Sequence, residues 1–90
     1  MLLTGKVAVI SGAASPRGIG FATARLFAAH GAKVAVLDID GKAAQGAAAE
    51  LGTGHGGFAC DVTDPAACKA AADAVLGAFG QVDVLVNNAG

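Results

Sequence analysis

The chain has 90 residues, of which 54% are hydrophobic and 14% charged, and its formal net charge is −1. This balance excludes a disordered segment and a basic nucleic-acid-binding domain. No apolar run reaches the roughly 20 residues that cross a bilayer, and the first residues lack the pattern of a signal peptide, so we expect a cytoplasmic protein that makes no membrane contact.

The first two elements are a strand and a helix. Val7–Ile10 is a short apolar run bounded by Ser11 and Gly12, as is typical of a strand buried on both faces. A helical period then begins at Gly18 and ends at His30, with Gly31 in the position after the cap. The spacing places five residues on one face of this helix: Ile19, Ala22, Thr23, Leu26 and Phe27.

The next two elements repeat this order. Val34–Leu37 is a second apolar run, and Asp38 closes it. The alanine-rich segment Lys42–Leu51 favours a helix that ends at Gly52. The glycine-rich segment Gly52–Gly57 has neither a helix nor a strand signal and predicts a flexible connector.

The last three elements are a strand, a helix and a strand. Phe58–Cys60 predicts a short third strand, and Asp64 followed by Pro65 is typical of a helix start. Gly80 ends this helix, whose apolar face comprises Cys68, Ala71, Ala72, Val75, Leu76 and Phe79. Val82–Val86 predicts a fourth strand, which we expect to lie on an exposed apolar edge.

The alternating order predicts a Rossmann-type α/β fold. Strands that alternate with helices pair in parallel, and right-handed crossovers give the strand order 3-2-1-4 in an incomplete doubly wound sheet. The order reverses once, beside the first strand. Ligands of such sheets bind outside the strand carboxyl ends at this switch point.

A glycine-rich loop connects the first strand to the first helix. Gly12 permits a tight exit from the strand, Gly18 permits a close approach to a pyrophosphate, and Gly20 permits the helix to pack on the sheet. The helix amino terminus would face the phosphates. A plain turn is the alternative, but the position between a buried strand and a helix favours a phosphate site.

An acidic residue follows the second strand. Asp38 lies 18 residues beyond Gly20, where a carboxylate accepts hydrogen bonds from both ribose hydroxyls and repels a 2′-phosphate. A surface residue that merely ends the strand is the alternative. For Asp40 we prefer a helix cap. Arg17 could pair with a 2′-phosphate, but Asp38 is better placed, so the sequence favours NAD over NADP.

Asp61 and Val62 follow the third strand. The Asp61 carboxylate could accept from an adenine amino group and Val62 could pack on the ring, although this pair alone is unremarkable. The remaining polar residues predict no metal, nucleophile–base or nucleic-acid site. We expect His30 to lie at a helix end, His55 to lie in the glycine-rich connector, and Asp73 and Asp83 to face solvent. We expect Cys60 and Cys68 to be buried free thiols.

With its last residues, the chain resembles the classical short-chain dehydrogenase/reductase family along essentially its whole length. Four motifs in the family's order carry the resemblance: Gly12 with Gly18-Ile19-Gly20, Asp38, Asp61-Val62-Thr63-Asp64-Pro65, and Asp83 to Gly90, which includes Asn87-Asn88-Ala89-Gly90. The resemblance implies hydride transfer between a nicotinamide and an alcohol or ketone, in a complete protein that forms a homo-oligomer.

The resemblance also assigns roles to individual positions. Ser15, Arg17 and Ile19 would line the pyrophosphate and ribose, and Asp38 would hold the adenosine ribose. Asp61 and Val62 would flank adenine. Three residues, Asn88, Ala89 and Gly90, would pass under the cofactor, while Asn87 would tie the fourth strand to its neighbours.

Two departures from the family pattern matter. Ser11 replaces the usual threonine, and five residues instead of three separate Gly12 from Gly18. The family's catalytic serine, tyrosine and lysine lie beyond the Asn-Asn-Ala-Gly motif, and this chain contains no tyrosine. We therefore expect residues 1–90 to be the amino-terminal part of one NAD(P)-binding domain, without catalytic residues and inactive alone. A non-catalytic dinucleotide-binding module and an S-adenosylmethionine methyltransferase core are the alternatives.

Overall fold

Strands and helices alternate throughout the part of the chain that the computed structural model describes, residues 2–14 and 18–87. The strands are β1 (Val7–Ser11), β2 (Lys33–Asp38), β3 (Gly56–Ala59) and β4 (Val84–Asn87). The helices are α1 (Ile19–Ala29), α2 (Gly41–Leu51) and α3 (Pro65–Phe79).

The four strands form one parallel sheet in the order β3-β2-β1-β4. Ala8 on the central strand β1 pairs with Val34 on one side and with Val84 on the other. The order reverses beside β1, so the predicted Rossmann-type topology is confirmed. All five residues of β1 are buried, as expected for a strand covered on both faces.

Helices cover both faces of the sheet. On one face, β1 and β2 pack against α1 and α2 in a core cluster of Ala8, Ile10, Ala13, Phe21, Ala24, Val34, Val36, Ala44, Ala47 and Ala48. On the other face they pack against α3 in a smaller cluster of Val7, Val9, Ala35, Leu37, Cys60, Ala71 and Val75. Many members are alanines, so the helices lie close to the sheet.

The predicted amino-terminal caps of α2 and α3 are confirmed. The Asp40 carboxylate accepts from the amides of Lys42 and Ala43 and caps α2, as expected for that residue. The Asp64 carboxylate caps α3 ahead of Pro65: its Oδ1 accepts a hydrogen bond from the Ala66 amide, with the nitrogen and oxygen 3.0 Å apart.

The buried face of α1 differs from the predicted one. Ile19 is 81% and Leu26 56% exposed, whereas Gly20, Phe21 and Ala24 are buried. The helix has apolar residues on most of its circumference, so its period does not select one face. The close approach of Gly20 to the loop after β1, described below, determines which face turns inward.

The third strand begins earlier than predicted. It includes Gly56 and Gly57, which were expected to lie in a flexible connector, and it ends before Cys60. A side chain at Gly57 would overlap the backbone of Ala44 on α2. Gly57 therefore allows α2 to lie directly on the strand, a role that local sequence patterns do not reveal.

His55 has a structural contact that the sequence did not predict. Its Nδ1 accepts the amide of Val34 at 2.9 Å, just ahead of the residues of β2 that pair with β3. The imidazole thus satisfies a backbone donor of a buried strand. Burial lowers the pKa of His55 below its ordinary value of 6.5.

Asp83 is exposed as expected, but it also makes hydrogen bonds that the sequence did not predict. Its carboxylate accepts the amide of Val7 at 2.8 Å and the side-chain amide of Gln81 at 2.6 Å, ahead of β4. These hydrogen bonds lower the pKa of Asp83, and the bond from Val7 contributes the most. Asp73 is exposed as expected and pairs with Lys69 on the surface of α3.

The fourth strand begins at Val84, two residues later than predicted, and forms an edge of the sheet. Leu85 on this strand is 70% exposed, as expected for an uncovered apolar edge. Among residues 2–14 and 18–87, no helix combines the length and the hydropathy that spanning a membrane requires.

Candidate nucleotide-binding site

The carboxyl ends of the parallel strands bring the predicted site residues to one edge of the sheet. Asp38 ends β2, and the segment that follows β3 lies next to it, since the Cys60 amide donates to the Asp38 carbonyl at 2.7 Å. A cavity of about 140 Å³ opens here and is lined by Ser11, Gly12, Leu37, Asp38, Ile39, Cys60, Asp61 and Val62. We refer to it as the adenosine crevice.

The glycines of the first loop bring α1 close to the end of β1. Gly12 has a φ of +69°, which favours glycine, and turns the chain sharply out of the strand. A side chain at Gly20 would overlap the Gly12 carbonyl oxygen and would lie 3.1 Å from the Ala13 Cα. The predicted packing role of Gly20 is therefore seen in the structure.

The amino terminus of α1 differs from those of the other two helices. Aspartates cap α2 and α3, whereas Gly18 precedes α1 and no side chain among the described residues caps this helix. The first amides of an uncapped helix are unsatisfied donors and carry the positive end of the helix dipole. This terminus can accordingly accept a phosphate group.

Asp38 presents a carboxylate at the rim of the adenosine crevice. Its Oδ1 accepts the amide of Asp40 at 2.9 Å, which fixes the side chain in a local turn. Within the described ranges its Oδ2 has no hydrogen-bond partner. The side chain is half-buried, so one oxygen is held in place while the other is available to a ligand.

The turn after β3 forms the opposite wall of the crevice. The Asp61 Oδ1 accepts from the Thr63 hydroxyl at 2.6 Å and from the Thr63 amide at 2.9 Å. These two hydrogen bonds lower the pKa of Asp61, and the bond from the hydroxyl contributes more than the bond from the amide. Val62 is partly exposed and offers an apolar surface to the crevice.

Ser11 joins the two strands at the switch point. Its hydroxyl donates to the Asn87 Oδ1 at 2.8 Å, between paired positions of β1 and β4. Ser11 is buried, and it replaces the threonine of the family pattern without loss of the hydroxyl. The bond shows Asn87 tied to its neighbouring strand, the role that the resemblance implied.

Five predicted cofactor-binding residues lie outside the described residues: Ser15, Arg17, Asn88, Ala89 and Gly90. Of the remainder, Gly12, Asp38, Asp61 and Val62 line the crevice together, while Gly18, Ile19 and Gly20 lie at the start of α1. Sequence reasoning missed Ile39, which lines the crevice and is 73% exposed. A bulky apolar residue directly after the strand-ending Asp38 was the available signal.

A second, larger cavity of about 290 Å³ lies between α3 and β4, on the face of the sheet that α3 covers. Its lining is mostly apolar and includes Val9, Val75, Val82 and Leu85. It offers few polar partners for phosphates or ribose, whereas the smaller crevice includes the Asp38 and Asp61 carboxylates. Among residues 2–14 and 18–87, no group of three or more His, Cys, Asp or Glu side chains is arranged to hold a metal ion.

Comparison with known proteins agrees with this geometry. The family model described as enoyl-(acyl carrier protein) reductase matches residues 12–90. An uncharacterized short-chain type dehydrogenase/reductase of Sinorhizobium fredii is 58% identical over 94 residues, covering 100% of this chain and 37% of that protein. The chain belongs to the short-chain dehydrogenase/reductase family. This nicotinamide-dependent family consists of oxidoreductases, and membership removes the methyltransferase alternative.

Other members of the short-chain dehydrogenase/reductase family match to a similar extent. D-threitol dehydrogenase of Mycolicibacterium smegmatis is 52% identical over 98% of this chain and 34% of its own length. The crystal structure of a 3-ketoacyl-(acyl-carrier-protein) reductase from Brucella melitensis, complexed with NADH, superposes with a TM-score of 0.86 at 43% identity. The match covers 92% of this chain and 33% of that chain. The chain thus spans about a third of the length of these relatives.

Proposed function

We propose that this chain is the cofactor-binding part of an NAD(H)-dependent oxidoreductase that transfers hydride between nicotinamide and an alcohol or ketone. One observation carries the proposal: the Asp38 carboxylate lies at the rim of the adenosine crevice with one oxygen fixed and one available. A carboxylate in this position accepts from the two hydroxyls of the adenosine ribose and repels a 2′-phosphate.

The described residues fit a dinucleotide at three places. The uncapped amino terminus of α1 would hold the pyrophosphate. Asp38 would hold the ribose, and the adenine would lie between the exposed side chains of Ile39 and Val62, beside the Asp61 carboxylate. When bound, nicotinamide supplies the carbon that accepts or donates hydride.

Proton transfer needs a group that can give and take a proton close to the reacting oxygen. No tyrosine is present. His30 lies at the carboxyl end of α1 and does not line the crevice, and the His55 imidazole accepts a hydrogen bond from the β2 backbone. We propose that residues beyond position 90 of the complete protein supply the serine, tyrosine and lysine that move the proton in this family. Residues 1–90 would then bind and orient the nucleotide.

A cofactor-binding comparison tests the role of Asp38. The variant Asp38→Asn removes the charge but keeps an oxygen for the Asp40 amide, so the local turn is preserved. We expect the unmodified chain to bind NADH more tightly than NADPH, and we expect the variant to lose about tenfold or more of its NADH affinity, because hydrogen bonds to a charged group contribute about 1.5–3 kcal/mol. Cofactor fluorescence during titration measures both constants.

The matched control is Asp73→Asn, which makes the same change in net charge on the exposed surface of α3. It should leave both affinities unaltered, and its circular dichroism should match that of Asp38→Asn. Tighter binding of NADPH than of NADH by the unmodified chain would show that Asp38 does not select the nucleotide. No binding of either nucleotide by a folded chain would refute the proposed function itself.

A further inference from the structure

The two cysteines of the chain lie next to the adenosine crevice, which Cys60 lines together with Gly12. Cys60 follows β3 and is buried in the core cluster under α3, and Cys68 on the first turns of α3 packs against that cluster. Both thiols line the cavity between α3 and β4. Both are free cysteines in this structure, and the neighbouring Cys68 contributes, after burial, to the raised pKa of the Cys60 thiol.

Both cysteines contact the walls of the crevice. The Cys68 thiol donates to the Val62 carbonyl at 3.5 Å and to the Asp61 carbonyl at 3.8 Å. The Cys60 amide donates to the Asp38 carbonyl. Any covalent change at this pair is therefore transmitted directly to the backbone of residues 60–62 and to the end of β2.

We propose that Cys60 and Cys68 form a reversible redox pair, whose disulfide weakens nucleotide binding at the adenosine crevice. The coupling to binding rests on the proposed function, whereas formation of the disulfide does not. A disulfide removes the S–H donor that Cys68 offers to the turn and ties the start of α3 to the end of β3. The turn that carries Asp61 and Val62 must then rearrange.

The reaction balances with a low-molecular-weight disulfide as the oxidant. The Cys68 thiolate attacks one sulfur of the reagent, forms a mixed disulfide and releases one reagent thiol. The Cys60 thiolate then attacks the Cys68 sulfur and releases the second thiol, so two protein thiols are oxidised and one disulfide is reduced to two thiols. Cys68 attacks first because it is the more exposed. Burial raises the pKa of the Cys60 thiol and disfavours the thiolate there.

The test treats the chain with oxidised glutathione and follows both mass and NADH affinity. We expect the intact mass to fall by two hydrogens, with one bridged peptide pair that dithiothreitol separates. We expect the NADH dissociation constant to rise by about fivefold or more and to recover after reduction. Mixed glutathione adducts alone, or no reaction, would overturn the proposal.

Two variants separate the steps. Cys68→Ser keeps a hydroxyl donor toward the Asp61 and Val62 carbonyls but cannot form the bridge, so its NADH affinity should not respond to the oxidant. Cys60→Ala should accumulate the mixed disulfide at Cys68, because the second thiol is missing. If Cys68→Ser loses as much affinity as the unmodified chain, the coupling is wrong.

NADH binding by the reduced chain distinguishes failure of the proposed function from failure of the redox coupling. A reduced, folded chain that binds no NADH refutes both the proposed function and the coupling, while the mass measurement still decides whether the cysteines form a pair. A reduced chain that binds NADH and keeps its affinity after the bridge forms refutes the coupling alone.

Discussion

Replacing Gly20 with alanine places a methyl group between α1 and the loop that follows β1. The new Cβ would overlap the Gly12 carbonyl oxygen, with the Gly12 carbonyl carbon at 3.0 Å and the Ala13 Cα at 3.1 Å. All three neighbours are backbone atoms at the end of the buried strand β1, so they cannot rotate away. Overpacking of this kind costs about 1–3 kcal/mol, and we expect Gly20→Ala to be destabilised by that amount.

The matched control is the same substitution in α2. A methyl group at Gly46 meets no atom within 4 Å, and the position is exposed. There the only effect is the helix preference of alanine over glycine, which stabilises by about 0.5–1 kcal/mol. The two variants therefore differ in sign although the chemical change is identical.

Urea unfolding followed by circular dichroism measures both effects. With a dependence near 1 kcal/mol per molar urea for a small chain, Gly20→Ala should lower the midpoint by about 1 M or more, and Gly46→Ala should raise it by roughly 0.5–1 M. NADH affinity should fall only in Gly20→Ala, because displacement of α1 moves its amino terminus. A midpoint for Gly20→Ala equal to or above that of the unmodified chain would refute the steric argument.

Two predictions concern pH. The lowered pKa of His55 means that the unfolded chain binds the proton more readily, so stability present above about pH 6.5 is lost as the pH falls toward the lowered folded value. His55→Asn should remove this loss between about pH 7.5 and 5.5 in urea midpoints, and an unchanged pH dependence would contradict the role of the Val34 contact. The hydrogen bond from Val7 lowers the pKa of Asp83 below its ordinary value of 3.8. The ionised Asp83 therefore stabilises the folded chain above about pH 3.8, and this stabilisation is lost as the pH falls through the lowered pKa of the folded state. Asp83→Asn should therefore lower the urea midpoint at neutral pH but not in strong acid, whereas Asp73→Asn should lower neither; equal effects of the two would count against the hydrogen bond.

Much of the fold follows from patterns that are local in the sequence. Apolar runs such as Val34–Leu37 have the length and composition of buried strands, and Asp64 with Pro65 marks a helix start by known chemistry. The strand order then follows from the handedness of crossovers. The inward face of α1 could not be predicted, because Ile19 and Phe21 are both strongly apolar and only the close approach of Gly20 to the loop after β1 distinguishes the two faces.

The same distinction holds for the candidate site. Asp38 and Asp61 could be placed together from sequence because parallel strands end at one edge of the sheet. The contacts of Asp83 with Val7, and of the Cys68 thiol with the Asp61 and Val62 carbonyls, leave no periodic or motif signal in the sequence. Such side-chain partners become visible only when the elements are assembled.

The pairing of β4 with β1 has a consequence for the order of assembly. Asp83 and Val7 are 76 residues apart in the chain, whereas β1 reaches β2 after about a third of that separation. Closing the longer loop costs about 1 kcal/mol more in chain entropy, so we expect β4 to join the sheet after β1 and β2 have paired. The Ser11–Asn87 bond at the switch point forms in that last step. We expect a nucleotide that contacts both β2 and β4 to stabilise the pairing of this late strand, and thereby to raise the free energy of unfolding of the chain.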